Sequence, residues 1–561
     1  MKNNYELNSI VMMKKTHPCG NNLFEIIRTG VDIKIKCIKC GRTIMLSRVD
    51  FNKKIKRSSH PVMFFIYLSL FVIIASGIAS LLNFQVTYDK LTTIAGEVES
   101  TTIAVNSLLS LDGLKFIISS AYNNLINFEP FGNLLIASIG FAIALKSGFL
   151  KTLCNKVTKK IPKFLIVFIY SLLCIISSLD GNLGYVLLLP LGAVLFMSMN
   201  RNPLGGLALG FASIASGHGA GLFVTMLDYN LSSYTEASAK LLNEEYVVSQ
   251  SSNLFFIIVA TLLIAGVSTF ITEKIVVRRL GRNTIEEEEE VIIDESKEKK
   301  GLSASLIATI IYLIPIIIML IPYEKESFVG ILLDKSQTEY SKMLFSSDAL
   351  LMTNLVGIVS LLFAIQGFVF GVISGTIKKI RDMISFSADY LKSIGSIFIL
   401  IFFASFLISV LKESNLGLVL TAFLANLIGM SNFSFVPLVL LILIITIVAN
   451  ILTPASISKW SILAPNIMNV VMKANITPEF SQLIFRAGDS LANPITPIFS
   501  YFVIFIGFIE IYTKNKNDFS IKSCYKLIFP YFLAIALTWI VLIICWFIIG
   551  IPIGPNIYPT F

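Results

Sequence analysis

Charged residues are scarce in this sequence. Asp, Glu, Lys and Arg make up 14% of its 561 residues, whereas soluble globular domains contain about 25%. Hydrophobic residues reach 55%, and the mean hydropathy is +0.79. Apolar runs of the roughly 20 residues that cross a bilayer recur, for example at 63–83, 254–271 and 531–550. The composition excludes a soluble globular protein and predicts an all-α polytopic membrane protein.

A secretory signal and a disulfide framework are also missing. The first apolar run follows a polar segment of about 60 residues and has no small-residue cleavage site, so we expect a cytoplasmic N-terminus. Three of the seven cysteines, Cys19, Cys37 and Cys40, cluster in the polar head, and the other four are scattered near apolar runs. This distribution does not indicate disulfide pairing.

The positive charge is concentrated at the N-terminus. Residues 1–60 contain 13 Lys and Arg against 4 Asp and Glu, a charge of +9 in a chain whose net charge is +10. Further basic clusters recur in alternate connections, which the positive-inside rule places in the cytoplasm. These clusters are at 53–57, 151–163, 273–282, 378–382 and 514–526. The connections at 85–112 and 323–347 have fewer basic residues and are predicted to lie outside.

An internal repeat has an offset of 275 residues. Tyr185, Pro190 and Pro203 are spaced like Trp460, Pro465 and Pro478. Each copy follows a polar, small-residue break in an apolar run, "SSLDGNLG" in the first and "NILTPASISK" in the second. Paired repeats with interrupted helices are typical of secondary transporters.

The predicted domain organisation follows from this repeat. Residues 1–58 form a small cytoplasmic β domain, because "VDIKIKC" and "GRTIMLSR" alternate like short strands. The first transporter half is 59–285, with a hairpin near 181–221. A solvated charged linker, 286–300, leads to the second half, 301–561, with a hairpin near 453–490.

Polar residues at membrane depth are the candidate functional residues, because charges there are costly and usually functional. Asp180 and Asn182 lie in the first break, Asn450 precedes the second, and Arg486 and Asp489 share one face of a later helix. Two readings of the last two are open. They form a structural ion pair, or Arg486 binds a substrate carboxylate while Asp489 holds it or exchanges a proton or cation.

The remaining polar residues suggest how a substrate and an ion bind. Trp460 offers a stacking surface for an aromatic ring, and the hydroxyls of Ser456 and Ser458 lie beside it. Asn450, Asp180 and the carbonyls of the broken helices are oxygen ligands suited to Na⁺. The spans contain no His/Cys/Asp grouping of a catalytic kind, so we expect no enzymatic activity. A channel is a further alternative.

Several ordered stretches resemble the p-aminobenzoyl-glutamate transporter family over about residues 60–555. They are "NSLLSLDGLKFIISSAYNNLINFEPFGNLL", "GYVLLLPLGAVLF" running into "NRNPLGGLA", "ITEKIVVRRLG", "SKWSILAPNIMNVVM", "FRAGDSLANPITPIFSYF" and "IPIGP". The resemblance implies a homodimer in the bacterial inner membrane, with about nine transmembrane helices and two re-entrant hairpins in inverted repeats. It also implies transport of p-aminobenzoyl-glutamate or efflux of sulfonamide-type antimetabolites, driven by an ion gradient.

The resemblance assigns roles by position. Substrate-binding positions of the family fall on Trp460, Pro478, Arg486, Asp489 and Pro497, and a cation-site asparagine falls on Asn450.

Two positions depart from the family pattern. Ile457 stands where the family has Ser, between Ser456 and Ser458, and Asn182 stands where the family has an acidic residue. Asp180 lies two residues earlier and can take that role, which leaves Na⁺ and H⁺ both open as the coupling ion.

The N-terminal head resembles short bacterial proteins of unknown function over about residues 5–57, through "HPCG", "IIRTG", "IKCxxCG" and "IML". His17, Cys19, Cys37 and Cys40 give four soft ligands in a zinc-ribbon-like spacing. Structural zinc and reduced structural thiols are the two readings.

We therefore predict an ion-coupled transporter of p-aminobenzoyl-glutamate, related aromatic carboxylates or sulfonamide antimetabolites. The alternative is a transporter of another small carboxylate with a regulatory N-terminal sensor domain. The expected partners are a small-molecule substrate, membrane lipid and a second copy of the chain, without nucleic acid. Transport needs no cofactor beyond Na⁺ or H⁺.

Overall fold

The computed structural model describes residues 5, 7, 10–55, 60–91, 98–281, 294–323, 327–513 and 519–561. Most of these residues are helical. Part of the predicted linker, 286–293, lies outside the described residues, whereas its last residues begin a long helix at Glu295.

The N-terminal head contains a four-stranded antiparallel sheet in the order β1-β2-β3-β4. Residues alternate between buried and more exposed along β2 and β3, as in a sheet with one face on a core. Helix α1 closes that face with the fully buried Phe51. The predicted β domain is confirmed. Its elements are β1 (Ile10–Met12), β2 (Leu23–Arg28), β3 (Asp32–Cys37), β4 (Thr43–Ser47) and α1 (Arg48–Lys54).

The rest of the described chain is helical apart from one hairpin of two strands. Its elements, in order, are α2 (Pro61–Leu81), β5 (Gln85–Leu91), β6 (Val98–Ala104), α3 (Leu111–Ser119), α4 (Ala121–Ile126), α5 (Glu129–Lys146), α6 (Phe149–Lys160), α7 (Lys163–Ile176), α8 (Leu189–Ser198), α9 (Pro203–Gly217), α10 (Met226–Lys240), α11 (Leu254–Ile271), α12 (Val277–Leu280), α13 (Glu295–Ile318), α14 (Tyr340–Phe345), α15 (Leu350–Ser374), α16 (Ile380–Ser393), α17 (Gly395–Glu413), α18 (Leu416–Gly429), α19 (Phe435–Leu452), α20 (Ser456–Lys473), α21 (Pro478–Ala492), α22 (Phe502–Ile511) and α23 (Ile521–Ile549). A 3₁₀ turn (Ser177–Leu179) follows α7, and π-helical turns (Gly184–Leu188 and Thr272–Val276) lead into α8 and α12.

Within the described part of the chain, eight helices are long and apolar enough to cross a membrane. They are α2, α5, α11 continued by α12, α13, α15, α17, α19 and α23. Five shorter apolar helical stretches accompany them. The polytopic helical class is confirmed, and the count of nine spans stays a prediction.

The 275-residue repeat has a structural counterpart. In each copy two helices form a hairpin, α8 with α9 and α20 with α21. The turns contain Asn200 and Asn475, again 275 residues apart, with left-handed φ angles of 57° and 59°. Asparagine tolerates this conformation better than most residues. Pro203 and Pro478 each begin the second helix, where proline's missing N–H costs nothing.

Helices flanking the hairpins also correspond. α7 and α19 precede the two breaks, while α10 with α11 in the first half match α22 with α23 in the second.

The α8–α9 hairpin is packed backbone to backbone, since a Cβ on Gly206 would lie 2.1 Å from the carbonyl oxygen of Gly192. Small residues allow such close approach in membranes. The domain boundaries themselves remain predictions.

Candidate functional site

The second break separates α19 from α20 at residues 453–455. Proline at 454 pushes the residue before it towards an extended conformation, and Thr453 accordingly has φ −131° and ψ 81°. The helix therefore ends at Leu452 and restarts at Ser456. This interruption lets side chains from the end of α19 and the start of α20 converge on α21.

One polar network forms where these three segments meet. Lys459 is fully buried, and its ammonium group contacts Oδ1 of Asn450 and Oδ1 of Asp489. The hydroxyl of Ser456 donates to Oδ2 of Asp489 at 2.5 Å. The amide of Asn450 donates to the Asp489 carbonyl at 3.0 Å and to the side chain of Asn493 at 2.8 Å. Asp489 is thus the partner of a buried lysine.

A second network surrounds Arg486, one turn away on α21. Its guanidinium forms an ion pair with Asp228 on α10 and donates to the backbone carbonyl of His218 from Nε at 3.3 Å and from Nη2 at 3.1 Å. The other oxygen of Asp228 accepts hydrogen bonds of 2.8 Å from the backbone and the hydroxyl of Thr225. Arg486 and Asp489 are therefore not partners of each other, either as an ion pair or with Asp489 holding Arg486, because each has its charged partner on a different helix.

The site is therefore balanced in formal charge. To the two networks α21 supplies one cation, Arg486, and one anion, Asp489, and α10 and α20 supply the opposite charges through Asp228 and Lys459. Every residue of α21 is buried, so protein surrounds this polar helix on all sides. Charges this deep persist only when they are paired and hydrogen-bonded.

Trp460 is packed beside these networks. Its indole N–H donates to the hydroxyl of Thr235 at 2.9 Å, and that hydroxyl donates to Gln482 at 2.5 Å. The ring centroids of Trp460 and Phe485 are 4.5 Å apart, with an interplanar angle of 35°. Trp460 is fully buried, so its ring faces are covered by protein in this conformation.

The other residues predicted to bind substrate are more dispersed. Pro478 begins α21, and Pro497 is half-buried in the turns that follow this helix. Ser458 and Ile457 are exposed, and the carbonyl of Ser458 accepts a hydrogen bond from Ser461 within α20. Of the two predicted serines, Ser456 alone contacts Asp489 among the described residues.

The first break forms a separate network. Oδ1 of Asp180 accepts hydrogen bonds from the backbone of Asn182 at 3.1 Å and Leu183 at 3.0 Å, and Oδ2 is buried without a partner among the described residues. Asn182 accepts a hydrogen bond from the hydroxyl of Tyr501. That ring stacks on Tyr185 with a centroid distance of 4.6 Å. No hydrogen bond within the described chain joins these residues to Asn450.

Lys459 and Asp228 are the two charged partners that the sequence reasoning missed. Lys459 lies within "SKW" at the start of an apolar stretch, and a cation at membrane depth is a functional candidate in its own right. Asp228 belongs to a T-x-x-D capping box at the start of α10, a pattern usually explained by helix capping alone.

The four predicted ligands of the head converge. The ligand atoms of His17, Cys19, Cys37 and Cys40 all lie within 4.8 Å of one another. Three of the six pairs of ligand atoms are 3.1 to 3.5 Å apart, close to the roughly 3.8 Å edge of a tetrahedron with Zn–S bonds of about 2.3 Å. The residues therefore fit a tetrahedral metal site.

The Cys37 thiol has an unusual acidity. Burial raises its pKa, but hydrogen bonds from the backbone of Cys40 and Lys39 outweigh burial and lower the pKa to about 7. The thiolate is the form of cysteine that binds metal ions.

Paired helical hairpins carrying a buried, charge-balanced site inside a polytopic helical protein define a membrane transporter. Residues 52–561 match the family described as "AbgT putative transporter family". The chain belongs to this family. Residues 5–58 match a family of bacterial proteins of unknown function.

Individual relatives agree with both assignments. The chain is 25% identical over 500 residues to the p-aminobenzoyl-glutamate transport protein of Escherichia coli (strain K12), covering 89% of this chain and 94% of that protein. The head is 51% identical over 53 residues to the uncharacterized protein YyzM of Bacillus subtilis (strain 168), covering 9% of this chain and 78% of that protein. The expected absence of enzymatic activity agrees with transporter relatives.

Two solved structures are similar in sequence over most of the chain. One is the Alcanivorax borkumensis YdaH transporter, at 27% identity over 89% of this chain and 100% of that chain, with a TM-score of 0.45. The other is Neisseria gonorrhoeae MtrF, described with a class of antimetabolite efflux pumps, at 27% identity over 89% of this chain and 97% of that chain, also with a TM-score of 0.45.

Proposed function

We propose that this protein is an ion-coupled secondary transporter of p-aminobenzoyl-glutamate or a related aromatic carboxylate. The family and the name of the Escherichia coli relative support the substrate class. The observation that carries the proposal is a fully enclosed arginine, Arg486, which directly follows Phe485, the aromatic neighbour of Trp460, and lies one helical turn from Asp489. An aromatic carboxylate needs a cation and an aromatic surface together.

Arg486 has hydrogen-bonding capacity left for a substrate. A guanidinium carries five N–H donors. Three of them point to Asp228 and the His218 carbonyl, and two have no partner among the described residues. In our proposal a substrate carboxylate takes these donors or displaces Asp228, and Trp460 turns its ring towards the aromatic part. Pro478 begins α21 and Pro497 lies in the turns after it, while Ser456 and Ser458 lie in the first turn of α20.

The balanced charge of the site explains why a cation travels with the substrate. Free p-aminobenzoyl-glutamate has two carboxylates. The two ion pairs of the site are already neutral, so burying both carboxylates beside them leaves negative charge uncompensated. That cost is large at low dielectric. Each co-bound Na⁺ or H⁺ compensates one of these charges and lowers that cost. A neutral sulfonamide has no such requirement, so efflux of sulfonamide antimetabolites is the second candidate, favoured by the description of the Neisseria relative.

Two places are proposed to couple the ion. Lys459 holds the oxygens of Asp489 and Asn450, the same hard ligands that Na⁺ prefers, so a cation or proton binding there competes with the ammonium group. The second is the first break, where Asp180 and Asn182 lie together and one Asp180 oxygen is unpartnered among the described residues.

The site is closed in this structure, because Trp460, Arg486 and Asp489 are all buried. Substrate entry therefore requires the hairpins to move against the remaining helices, which is alternating access. We further propose a homodimer in the bacterial cytoplasmic membrane, with the basic connections and the N-terminus in the cytoplasm. In this proposal the head binds structural zinc rather than holding reduced structural thiols. The alternative function is transport of another small carboxylate, with the head as a regulatory sensor.

Uptake by Arg486→Lys tests the proposed site. Lysine keeps the positive charge but loses the fork that binds a carboxylate with two hydrogen bonds. In proteoliposomes we expect at least a tenfold fall in initial uptake of labelled p-aminobenzoyl-glutamate. Arg201→Lys is the matched control, because Arg201 forms a two-bond pair with Glu273 at 2.6 and 3.0 Å away from the site. Equal uptake by both variants would remove Arg486 from the binding site.

A further inference from the structure

A cavity outside the candidate site lies on the surface between two helices. It has a volume of about 700 Å³ and is bordered by the α11–α12 helix and the first half of α23. On the first helix its wall is formed at four-residue intervals by Ile271, Ile275 and Arg279. Residues three or four apart share one helix face, so the wall is a continuous strip.

The two ends of this groove differ in chemistry. Three cations, Arg279, Lys522 and Lys526, lie at one end. The α23 wall continues from them as an apolar strip, which consists of Phe529, Pro530, Leu533, Ala534 and Leu537. The groove is therefore positive at one end and apolar along the rest.

Among the described residues, these three cations have no anionic partner. All three are exposed, and none forms an ion pair with any residue within the described ranges. Lys522 and Lys526 are four residues apart on one helix, where like charges repel and destabilise the helix slightly. Three unpaired cations together favour an anion at this end of the groove.

The length of the groove matches one lipid leaflet. From Lys526 to Leu537 the helix rises through eleven residues, or about 16 Å at 1.5 Å per residue. This is close to half of a bilayer core of about 30 Å. The cations belong to the basic segments 273–282 and 514–526, which the positive-inside rule assigns to the cytoplasmic surface.

We propose that this groove binds one anionic phospholipid of the cytoplasmic leaflet. The phosphate and acidic headgroup lie among Arg279, Lys522 and Lys526, and an acyl chain follows Phe529, Leu533 and Leu537 into the membrane. Basic pockets between transmembrane helices on the cytoplasmic side bind anionic headgroups by this combination of charge and apolar contact. The site is distinct from the substrate site and stabilises the contact between α11 and α23.

Lipid retention by the purified full-length protein tests the proposal. After delipidation in detergent, phosphatidylglycerol or phosphatidylcholine is added, and bound lipid per protein is measured by native mass spectrometry. We expect selective binding of phosphatidylglycerol. The triple variant Arg279→Gln, Lys522→Gln, Lys526→Gln should bind it about 100-fold more weakly, since each cation near the surface contributes about a fivefold effect.

A matched triple variant and a groove-filling variant complete the experiment. Lys156→Gln, Lys159→Gln, Lys160→Gln removes three exposed lysines of α6 and should leave binding unchanged. Ala534→Trp keeps all three cations but fills the apolar strip, and it should also weaken binding of phosphatidylglycerol. Equal retention of the two lipids, or equal losses in the two triple variants, would overturn the proposal.

Two other occupants of the groove would give different experimental outcomes. If the acidic run at 286–290 occupied the groove, the wild-type protein would not bind phosphatidylglycerol selectively, and binding would arise only after its five glutamates were replaced with glutamine. If a second copy of the chain covered it, the Arg279 triple variant would become monomeric in detergent with no change in lipid selectivity. Either result would overturn the assignment to lipid.

Discussion

Removing the cation from the Lys459–Asp489 pair is the most informative perturbation of the site. Lys459 is fully buried and Asp489 is only 2% exposed. Replacing Lys459 with Met, which has a similar length, leaves an uncompensated carboxylate in the interior. Breaking a buried ion pair from one side typically costs about 3–5 kcal/mol. We expect a loss of this size in the free energy of unfolding, measured by reversible denaturation in mixed micelles.

The double variant Lys459→Met, Asp489→Asn removes both charges. Asparagine keeps an oxygen that accepts from Ser456, so most of the lost stability should return. The surface pair of Lys240 and Glu236, with an N–O distance of 2.6 Å and partly exposed side chains, provides the control. Lys240→Met should cost only about 0–1 kcal/mol. Equal losses for Lys459→Met and Lys240→Met, or no recovery in the double variant, would refute a buried compensating pair.

Three further comparisons of variants test the metal site, the ion coupling and the hairpin turn. Zinc content should be one per chain in the wild type and in Cys545→Ser, but lost in Cys37→Ser, and equal zinc in all three would contradict the metal site. Asp180→Asn should abolish the dependence of uptake on an ion gradient, while Asp112→Asn, a control at a side chain that is 92% exposed, should leave it intact. A preserved dependence in Asp180→Asn would exclude Asp180 from coupling. Asn475→Gly should keep the thermal stability of the wild type, whereas Asn475→Val should cost about 1 kcal/mol or more at a positive φ, and equal stability of the two would argue against the left-handed turn.

Much of the fold was predictable because it depends on local patterns. Long apolar runs mark the spanning helices, period-two alternation marks the head strands, and the 275-residue repeat locates both hairpins. The repeat is visible in the sequence because the turns of both hairpins require the same residue types. Asn200 and Asn475 accept a left-handed conformation, and Pro203 and Pro478 begin the following helix.

The partners within the site were not predictable in the same way. Arg486 and Asp489 are neighbours in sequence and share a helix face, which suggests a pair. Their actual partners are set by packing between distant segments, and Asp228 lies 258 residues from Arg486. Lys459 was visible as a cation beside an apolar stretch, but its burial depends on the break that brings α20 against α21. Spacing along the chain contains no information about such contacts.

Gradient-driven accumulation by the wild-type protein tests the central claim most directly. Proteoliposomes are loaded to give an inward Na⁺ gradient, an inward H⁺ gradient or none, and the internal concentration of labelled p-aminobenzoyl-glutamate is followed over time. We expect accumulation above the external concentration with one of the two gradients and simple equilibration without a gradient. Equilibration under all three conditions would contradict ion-coupled transport by this site.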